Sequence, residues 1–206
     1  KKTPGFCFSA NINYSLLELL DRDLSKELGC IPFLDHTFLD IVEEFRDAAE
    51  QGKIELLGST AYHPIMPLIP KNMRMNQMAI DTRLKKTLWG IEKNCNGIFL
   101  PEMAFSQNIL PNLKNSGYQW TILDDTVFKA QYSYVPFDHV TDIQGGFKTL
   151  LRSNYWSNQI AGGKLTFKEF QKKLSYEFPQ WTKGQPAYLV IAMDAETFGH
   201  HYKSLI

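Results

Sequence analysis

Cysteine is scarce in this chain of 206 residues: the three that occur, Cys7, Cys30 and Cys95, are odd in number and show no CxxC spacing. This scarcity argues against both a disulfide framework and a zinc site built from thiolates. A net charge is absent as well, because 22 basic residues balance 22 acidic ones. The balance gives no reason to expect nucleic acid or an anionic membrane as a partner.

Long hydrophobic runs and internal repeats are also missing. No apolar stretch is long enough to cross a bilayer, and no charged-then-apolar leader opens the chain. We expect no membrane association, with cytoplasmic residence as the default assignment. The composition, with 44% hydrophobic and 13% aromatic residues, is typical of a globular protein, and the length suits a single domain over residues 1–206.

Two apolar runs end abruptly in carboxylates. The run over residues 188–193 is followed by Asp194 and Glu196, and the run over residues 97–100 is followed by Pro101 and then Glu102. Continuous apolar runs are typical of buried parallel strands, and α/β enzymes place their chemistry at the carboxyl ends of such strands. Two carboxylates that converge on one cleft are the minimum equipment of a glycosidase, with one as nucleophile or base and the other as acid.

Strand-like and helix-like runs alternate along the chain, which favours βαβ units around a parallel sheet and hence a complete or partial barrel. Apolar spacing predicts helices over residues 14–20, 35–51, 73–94, 106–116 and 166–178, the third with an outer face rich in Lys and Arg and the last capped by Thr166. Strands are predicted over residues 6–12, 54–57, 97–100, 119–125, 147–151 and 188–193. Residues 126–146 show no period, and we predict a long loop there that covers part of a cleft.

The carboxylate runs resemble a known family. The run from Leu100 to Met103 and the run from Met193 to His200 look like the third and fourth signature regions of glycoside hydrolase family 57, the retaining enzymes that act on α-glucans. Residues 54–69, in which a strand leads into an aromatic, proline-rich loop, are similar to the second region. A lone Pro-Glu or Asp-x-Glu would mean little, but three segments in the family's order make the resemblance specific.

This resemblance implies a distorted (β/α)7 barrel of parallel strands, an α-glucan polysaccharide or oligosaccharide as the substrate, and no metal or cofactor. It implies Glu102 as the nucleophile of a covalent glycosyl-enzyme and Asp194 as the general acid/base. A carboxyl at the end of an apolar strand that faces another carboxylate keeps its proton more readily, because desolvation and repulsion both disfavour ionisation. The expected substrate-binding residues beside the signature regions are Tyr62, His63, Glu196 and His200. Asp125 is a further candidate at a predicted strand end. Arg152, Tyr155 and Trp156 follow another predicted strand and could form a platform for a glucose ring, with core packing as the alternative interpretation of Trp156.

The chain departs from the family pattern at both ends. Family members open with a strand that carries a His-Gln-Pro motif, which does not occur here, and they continue past the Asp194 strand with further barrel strands and a helical domain. We therefore expect an internal fragment of a longer enzyme, with the barrel incomplete at both ends. These residues do not distinguish hydrolysis from transfer, nor one α-glucan linkage from another, and they leave the oligomeric state unknown.

Two alternatives stay open at the level of the sequence. A metal-dependent polysaccharide deacetylase would bind zinc through an aspartate and two histidines. The residues available for such a site are Asp124, Asp125, His200 and His201. Adjacent histidines point to opposite sides of an extended segment, however, and the chain has no HxxxH pair. The other alternative is a carbohydrate-binding barrel without catalytic activity. Asp124 or Asp125 could also serve only as the N-cap of a helix.

Overall fold

The computed structural model describes residues 5, 7–16, 38–89, 96–163 and 165–197. The chain divides into two units, Lys1–Thr121 (unit 1) and Ile122–Ile206 (unit 2). The single domain predicted over residues 1–206 stays a prediction. The following positions named above lie outside the described residues: Cys30, Cys95, the helix start at residue 35, residues 17–20 and 90–94 of two predicted helices, His200 and His201.

The strands of unit 1 pair in parallel, in the order in which they occur along the chain. They are β1 (Phe8–Ala10), β2 (Ile54–Leu56), β3 (Gly97–Ile98) and the first two residues of β4 (Trp120–Asp124). Phe8 lies opposite Ile54, and Gly97 lies opposite Trp120. A parallel bridge between Gly58 and Ile98 joins the chain just past β2 to β3. The four predicted strands are thus confirmed, with shorter ladders than the apolar runs suggested.

Two glycines in this part of unit 1 lie directly under aromatic rings. A Cβ atom on Gly58 would collide with the ring of Tyr118, and one on Gly97 would collide with the ring of Trp120. Because neither ring could keep its position over a side chain, glycine at both positions lets the rings pack on bare backbone.

Helices follow the strands of unit 1, as the apolar spacing predicts. They are α1 (Phe38–Glu50), α2 (Lys71–Trp89) and α3 (Leu110–Asn115), with short 3-10 turns at Met66–Leu68, Pro101–Met103 and Gln107–Ile109. Phe45 and Ala48 of α1 pack against the buried Ile54 and Leu56 of β2. The chain leaves α1 through Gly52, which has a φ of 68° that glycine adopts without strain. This is the helix-on-sheet packing of a βαβ unit.

Unit 2 contains the end of β4 and a hairpin of β5 (Thr141–Gln144) and β6 (Phe147–Arg152), with the sheet order β4-β6-β5. The two hairpin strands are antiparallel, with Gln144 opposite Phe147. Gly145 and Gly146 join them, and both have positive φ, as a two-residue hairpin turn requires. The parallel arrangement expected of the sheet therefore does not extend to β5, which lies in the stretch predicted as a loop.

The prediction of a long loop over residues 126–146 is also wrong. A helix, α4, occupies Asp125–Tyr132, and β5 follows it. The carboxylate of Asp124 accepts the N–H of Thr126 at 3.0 Å, so Asp124 is the N-cap of α4, which confirms that interpretation of the residue. Apolar spacing does not predict this helix, because the helix buries no apolar face: Val127, for example, is 70% exposed.

Two further helices complete unit 2, α5 (Asn154–Ala161) and α6 (Phe167–Trp181). The predicted cap at Thr166 is confirmed: its N–H donates to the Glu169 side chain at 2.7 Å, and its hydroxyl accepts the N–H of Glu169 in return. The helix runs through Pro179 and ends three residues later than predicted.

The predicted strand over residues 188–193 is reduced to a single parallel bridge between Val190 and Arg152. Ile191 is 37% exposed, so this run is not the fully buried strand that its apolar residues predict. The physical reason is that the bridge to Arg152 covers one edge of the run, and no second strand lies along its other edge among the described residues.

The α/β class with parallel strands is confirmed, while the strands of the described ranges do not close into a barrel. Within those same ranges, no helix has the length and apolar character needed to cross a membrane.

Candidate active site

Glu102 lies just past β3, on a turn with unusual backbone geometry. Leu100 and Pro101 are buried, and Glu102 is exposed. The turn is closed by the Met103 N–H, which donates to the Leu100 carbonyl at 2.8 Å. Glu102 (φ 54°, ψ 20°) and Met103 (φ 50°) are both in the left-handed region, which costs a residue with a side chain roughly 1–2 kcal/mol. Strain of this kind concentrates at functional sites.

The chain past β2 carries two of the predicted sugar-binding residues. Ser59, Thr60 and Ala61 are buried, and the next two residues, Tyr62 and His63, are exposed. His63 also has a positive φ, 53°. This loop therefore buries its small residues and presents an aromatic ring and an imidazole at its surface, at the carboxyl end of β2.

Tyr14, which sequence reasoning did not single out, lies against Tyr62. The two ring centroids are 5.3 Å apart, and the planes meet at 63° in an edge-to-face arrangement. The Ser15 N–H donates to the Ala61 carbonyl at 2.9 Å, which joins the chain past β1 to the chain past β2. The signal that could have revealed Tyr14 is its position: like Tyr62, it follows the carboxyl end of a predicted strand.

A buried ion pair supports the same loop. Asp81 and Lys85 of α2 are 2.7 Å apart, and their side chains are 0% and 8% exposed. Asp81 also accepts the N–H of Ser59 at 3.0 Å, and Lys85 donates to the carbonyl of Leu57 at 2.8 Å. The pair thus holds the chain on both sides of Gly58, where β2 leads into the Tyr62 loop.

The predicted outer face rich in Lys and Arg is present at the exposed Lys71, Arg83 and Lys86, but two other basic residues of this helix do not belong to it. Lys85 is buried, and so is Arg74, which is 8% exposed. The guanidinium of Arg74 donates to the carbonyls of Ile69, Asn108 and Pro67 at 2.9, 3.1 and 3.3 Å. Arg74 therefore ties down the proline-rich loop that the sequence places after β2.

In unit 2, Asp124 at the end of β4 is fixed by several donors. Arg152 donates to it at 2.8 Å and Asn154 at 3.3 Å, and both the backbone and the hydroxyl of Thr126 donate to its other oxygen. Burial alone raises the pKa of Asp124, but the hydrogen bonds from Thr126, Asn154 and Arg152 outweigh it and lower the pKa. Asp124 is therefore an ionised structural carboxylate.

The neighbouring Asp125 has the opposite electrostatics. It is 9% exposed and accepts the N–H of Asn154 at 3.0 Å. Burial raises the pKa of Asp125, and the charge of Asp124 raises it further, against the opposing effect of the Asn154 hydrogen bond. The pKa of Asp125 is thus raised, while the pKa of the adjacent Asp124 is lowered. The sugar-contacting role of Asp125 stays a prediction.

The structure corrects the predicted platform of Arg152, Tyr155 and Trp156. Trp156 is 0% exposed, and its ring is enclosed by those of Tyr155, Phe170 and Trp181 at centroid distances of 5.2, 5.5 and 5.8 Å. Arg152 is 8% exposed and is occupied by protein partners. Core packing was the alternative interpretation of Trp156, and it fits this burial, which leaves no face of the ring for a sugar.

Asp194 and Glu196 lie where the chain turns. The Thr197 N–H donates to the Asp194 carbonyl at 3.1 Å and closes a 3-10 turn over Ala195–Thr197. Both acidic residues are exposed, and Thr197 is buried. A continued strand would have placed the two carboxylates on the same side. The turn removes that argument, and the role of Glu196 stays a prediction.

Glu102 belongs to unit 1 and Asp194 to unit 2, and their approach to each other stays a prediction. Each unit nonetheless presents an exposed acidic residue where a predicted strand gives way to a turn.

Comparison with known proteins supports a common origin with carbohydrate-active enzymes. The alpha-amylase of Pyrococcus furiosus is 26% identical over 100 residues, which are 48% of this chain and 15% of that protein. The 4-alpha-glucanotransferase of Thermococcus litoralis is 23% identical over 91 residues, which are 44% of this chain and 13% of that protein. The chain thus spans less than a fifth of the length of these curated relatives.

Solved structures have a similar fold. The crystal structure of the 4-alpha-glucanotransferase from Thermococcus litoralis matches with a TM-score of 0.66 at 18% identity, over 94% of this chain and 27% of that one. A branching enzyme from Thermococcus kodakaraensis matches with a TM-score of 0.63 at 15% identity, over 95% of this chain and 56% of that one. At these identities the likeness concerns the fold.

A family model places the chain among the glycosyl hydrolases. The sequence profile of Glycosyl hydrolase family 57 matches residues 32–205. The chain belongs to that family.

Proposed function

We propose that this chain is part of a (β/α)7 barrel that hydrolyses or transfers α-glucans through a covalent glycosyl-enzyme. The observation that carries the proposal is the placement of Glu102: an exposed carboxylate on a left-handed turn, directly after a parallel strand, inside the segment that matches the family. The names of the relatives, alpha-amylase and 4-alpha-glucanotransferase, support α-glucans as the substrate.

In the proposed reaction, the Glu102 carboxylate attacks the anomeric carbon while the bond from that carbon to the glycosidic oxygen breaks. Asp194 gives its proton to the departing oxygen. In the second step Asp194 takes a proton from water or from a sugar hydroxyl, which attacks the anomeric carbon and releases Glu102. Two inversions leave the configuration retained. Hydrolysis and transfer differ only in the acceptor.

Most of the proposed sugar-binding residues lie, like Glu102, past the end of a strand or of a strand-like run. Tyr62 and His63 are exposed past the end of β2 in unit 1, and Glu196 is exposed on the Asp194 turn in unit 2. Asp125 lies past the end of β4, and His200 is assigned by the family resemblance alone. Arg152 and Trp156 are not proposed, because protein contacts occupy both side chains.

The test separates the two carboxylates by role in the full-length protein. Glu102→Gln should abolish turnover of every substrate, because no glycosyl-enzyme forms without the nucleophile. Asp194→Ala should lose most activity on maltooligosaccharides and keep far more on aryl glycosides whose leaving groups depart without protonation. Azide should then accept the glycosyl group from the Asp194→Ala enzyme and restore the rate, with retained configuration in the glycosyl azide.

Two exposed acidic residues provide matched controls. Glu50→Gln at the end of α1 and Asp138→Ala in the loop before β5 should leave the rate unchanged. The assignment of roles fails if Asp194→Ala behaves like the wild type on both substrate classes, or if azide yields the inverted product.

A further inference from the structure

The segment that leads to Asp194 is held by a clamp at the corner between β6 and α5, which consists of Arg152, Ser153 and Ser157. The N–H of Ser153 donates to the Val190 carbonyl at 3.0 Å. The Nε of Arg152 donates to the Ala192 carbonyl at 2.8 Å, and the N–H of Ala192 donates to the Ser157 hydroxyl at 3.2 Å. Both backbone groups of Ala192 are therefore fixed by side chains of the clamp.

The guanidinium of Arg152 is itself fixed from the opposite direction. One terminal nitrogen donates to Asp124 at 2.8 Å, and the other donates to Asn158 at 3.1 Å. The Arg152 and Asp124 side chains are 10% and 14% exposed, so water screens this ion pair little. Because Asp124 ends β4, Arg152 connects the Ala192 carbonyl to the end of that strand.

The position of Asp194 depends on this clamp for two reasons. The run before it has only one bridge to a neighbouring strand, at Val190, so a regular ladder does not hold it. The Asp194 carboxylate is exposed and accepts no hydrogen bond from another residue in the described part of the chain. Together with the 3-10 turn that Thr197 closes after it, the backbone at Ala192, two residues before Asp194, sets the direction in which the Asp194 side chain points.

We propose that Arg152 is a positioning residue for Asp194: it acts on the proton transfer by fixing the Ala192 carbonyl and does not contact the sugar. The inference rests on the proposed role of Asp194 as the general acid/base. An acid transfers its proton only within hydrogen-bond reach of the glycosidic oxygen, and a misplacement of about 1 Å costs on the order of 100-fold in rate.

The experiment uses the full-length protein and compares two substrates, a maltooligosaccharide and an aryl maltooligoside with an acidic phenol as leaving group. Arg152→Lys keeps the charge beside Asp124 but cannot donate in three directions from a planar fork. It should lower kcat/KM on the maltooligosaccharide by about 100-fold and kcat/KM on the aryl substrate by less than about 5-fold, because kcat/KM reports the first step, in which the acidic phenol departs without protonation. A residue that only stabilises the fold would lower both rates equally.

One further variant keeps the test decisive if Arg152→Lys folds poorly, and a double variant tests whether Arg152 and Asp194 act on one step. Ser157→Ala removes one hydrogen bond to Ala192 and no charge, and it should give the same leaving-group pattern with a loss of about 10-fold or less. In the Asp194→Ala background, Arg152→Lys should add almost nothing, because the two changes act on one step. Arg46→Lys at a partly exposed helix position and Ser175→Ala at an exposed one are the matched controls and should leave the rates unchanged.

The outcomes separate this inference from the proposed function. If Asp194→Ala shows the leaving-group pattern while Arg152→Lys and Ser157→Ala lower both rates equally, the inference fails alone. Additive losses in the double variant overturn it as well. If Asp194→Ala itself shows no leaving-group dependence, the proposed function fails and the inference fails with it.

Discussion

The buried pair of Asp81 and Lys85 allows a stability prediction worked from its contacts. Lys85→Met removes the ammonium 2.7 Å from Asp81 and leaves that fully buried carboxylate with the Ser59 N–H. The Leu57 carbonyl also loses a donor at 2.8 Å. Breaking a buried pair in this way costs about 3–5 kcal/mol. We expect Lys85→Met to lower the free energy of unfolding by that amount, measured by urea unfolding followed by tryptophan fluorescence.

A second change at Asp81 provides an internal check. Asp81→Asn alone should destabilise the protein, because it leaves the Lys85 charge buried without a partner. Added to Lys85→Met, the same change should stabilise it by at least about 1 kcal/mol, because it removes the unpaired carboxylate and keeps an acceptor for Ser59. Lys148→Met, in the half-exposed pair with Asp142, is the matched control and should cost less than about 1 kcal/mol. If Lys85→Met costs no more than Lys148→Met, the burial argument is refuted.

Three other predictions concern charge, metal and geometry. Asp124→Asn should destabilise the protein at pH 7 and lose its effect as the pH falls through the lowered pKa of Asp124, because Asp124 stabilises the fold only while its carboxylate is ionised. Asp125→Asn should gain stability relative to the wild type as the pH rises through the raised pKa of Asp125. Chemical denaturation of both variants across pH 3–7 measures the two effects. EDTA should leave the rate of the full-length enzyme unchanged because the proposed chemistry uses carboxylates alone, and loss of activity that zinc restores would favour a deacetylase. A crystal structure with bound oligosaccharide should place the carboxyl groups of Glu102 and Asp194 about 5–5.5 Å apart, and a separation above roughly 10 Å would rule out this pair.

Sequence patterns correctly predict the elements whose local sequence signals agree with the way they pack in the fold. The helix spacing over Phe38–Glu50 and the cap at Thr166 are both confirmed, because each signal lies within one element. The adjacent Gly145 and Gly146 are a local signal for a hairpin turn, and they lie inside the stretch predicted as a loop. Helix α4 is harder to predict, since the β-branched Thr126 and Val127 favour a strand and only the Asp124 cap favours a helix.

Glu102 and Asp194 lie where a predicted strand gives way to a turn, as expected, while their catalytic roles stay predictions. The sequence misleads where burial decides the role of a side chain. Asp81 and Lys85 have the same i, i+4 spacing as a surface ion pair, so their burial is invisible without the tertiary structure. Arg152 beside aromatic residues suggested a sugar platform for the same reason. Its actual partners, Asp124 and Ala192, lie 28 and 40 residues away in the chain, and no local pattern reveals them.

The central claim, a covalent intermediate on Glu102, can be tested by trapping. The full-length protein is incubated with an activated fluoro-α-glucoside, which forms the glycosyl-enzyme faster than it is hydrolysed, and is then digested and analysed by mass spectrometry. The account predicts one added glycosyl group on the peptide that contains Glu102, and no label in Glu102→Gln. A label on another carboxylate, or turnover without any label and with inverted configuration, would contradict it.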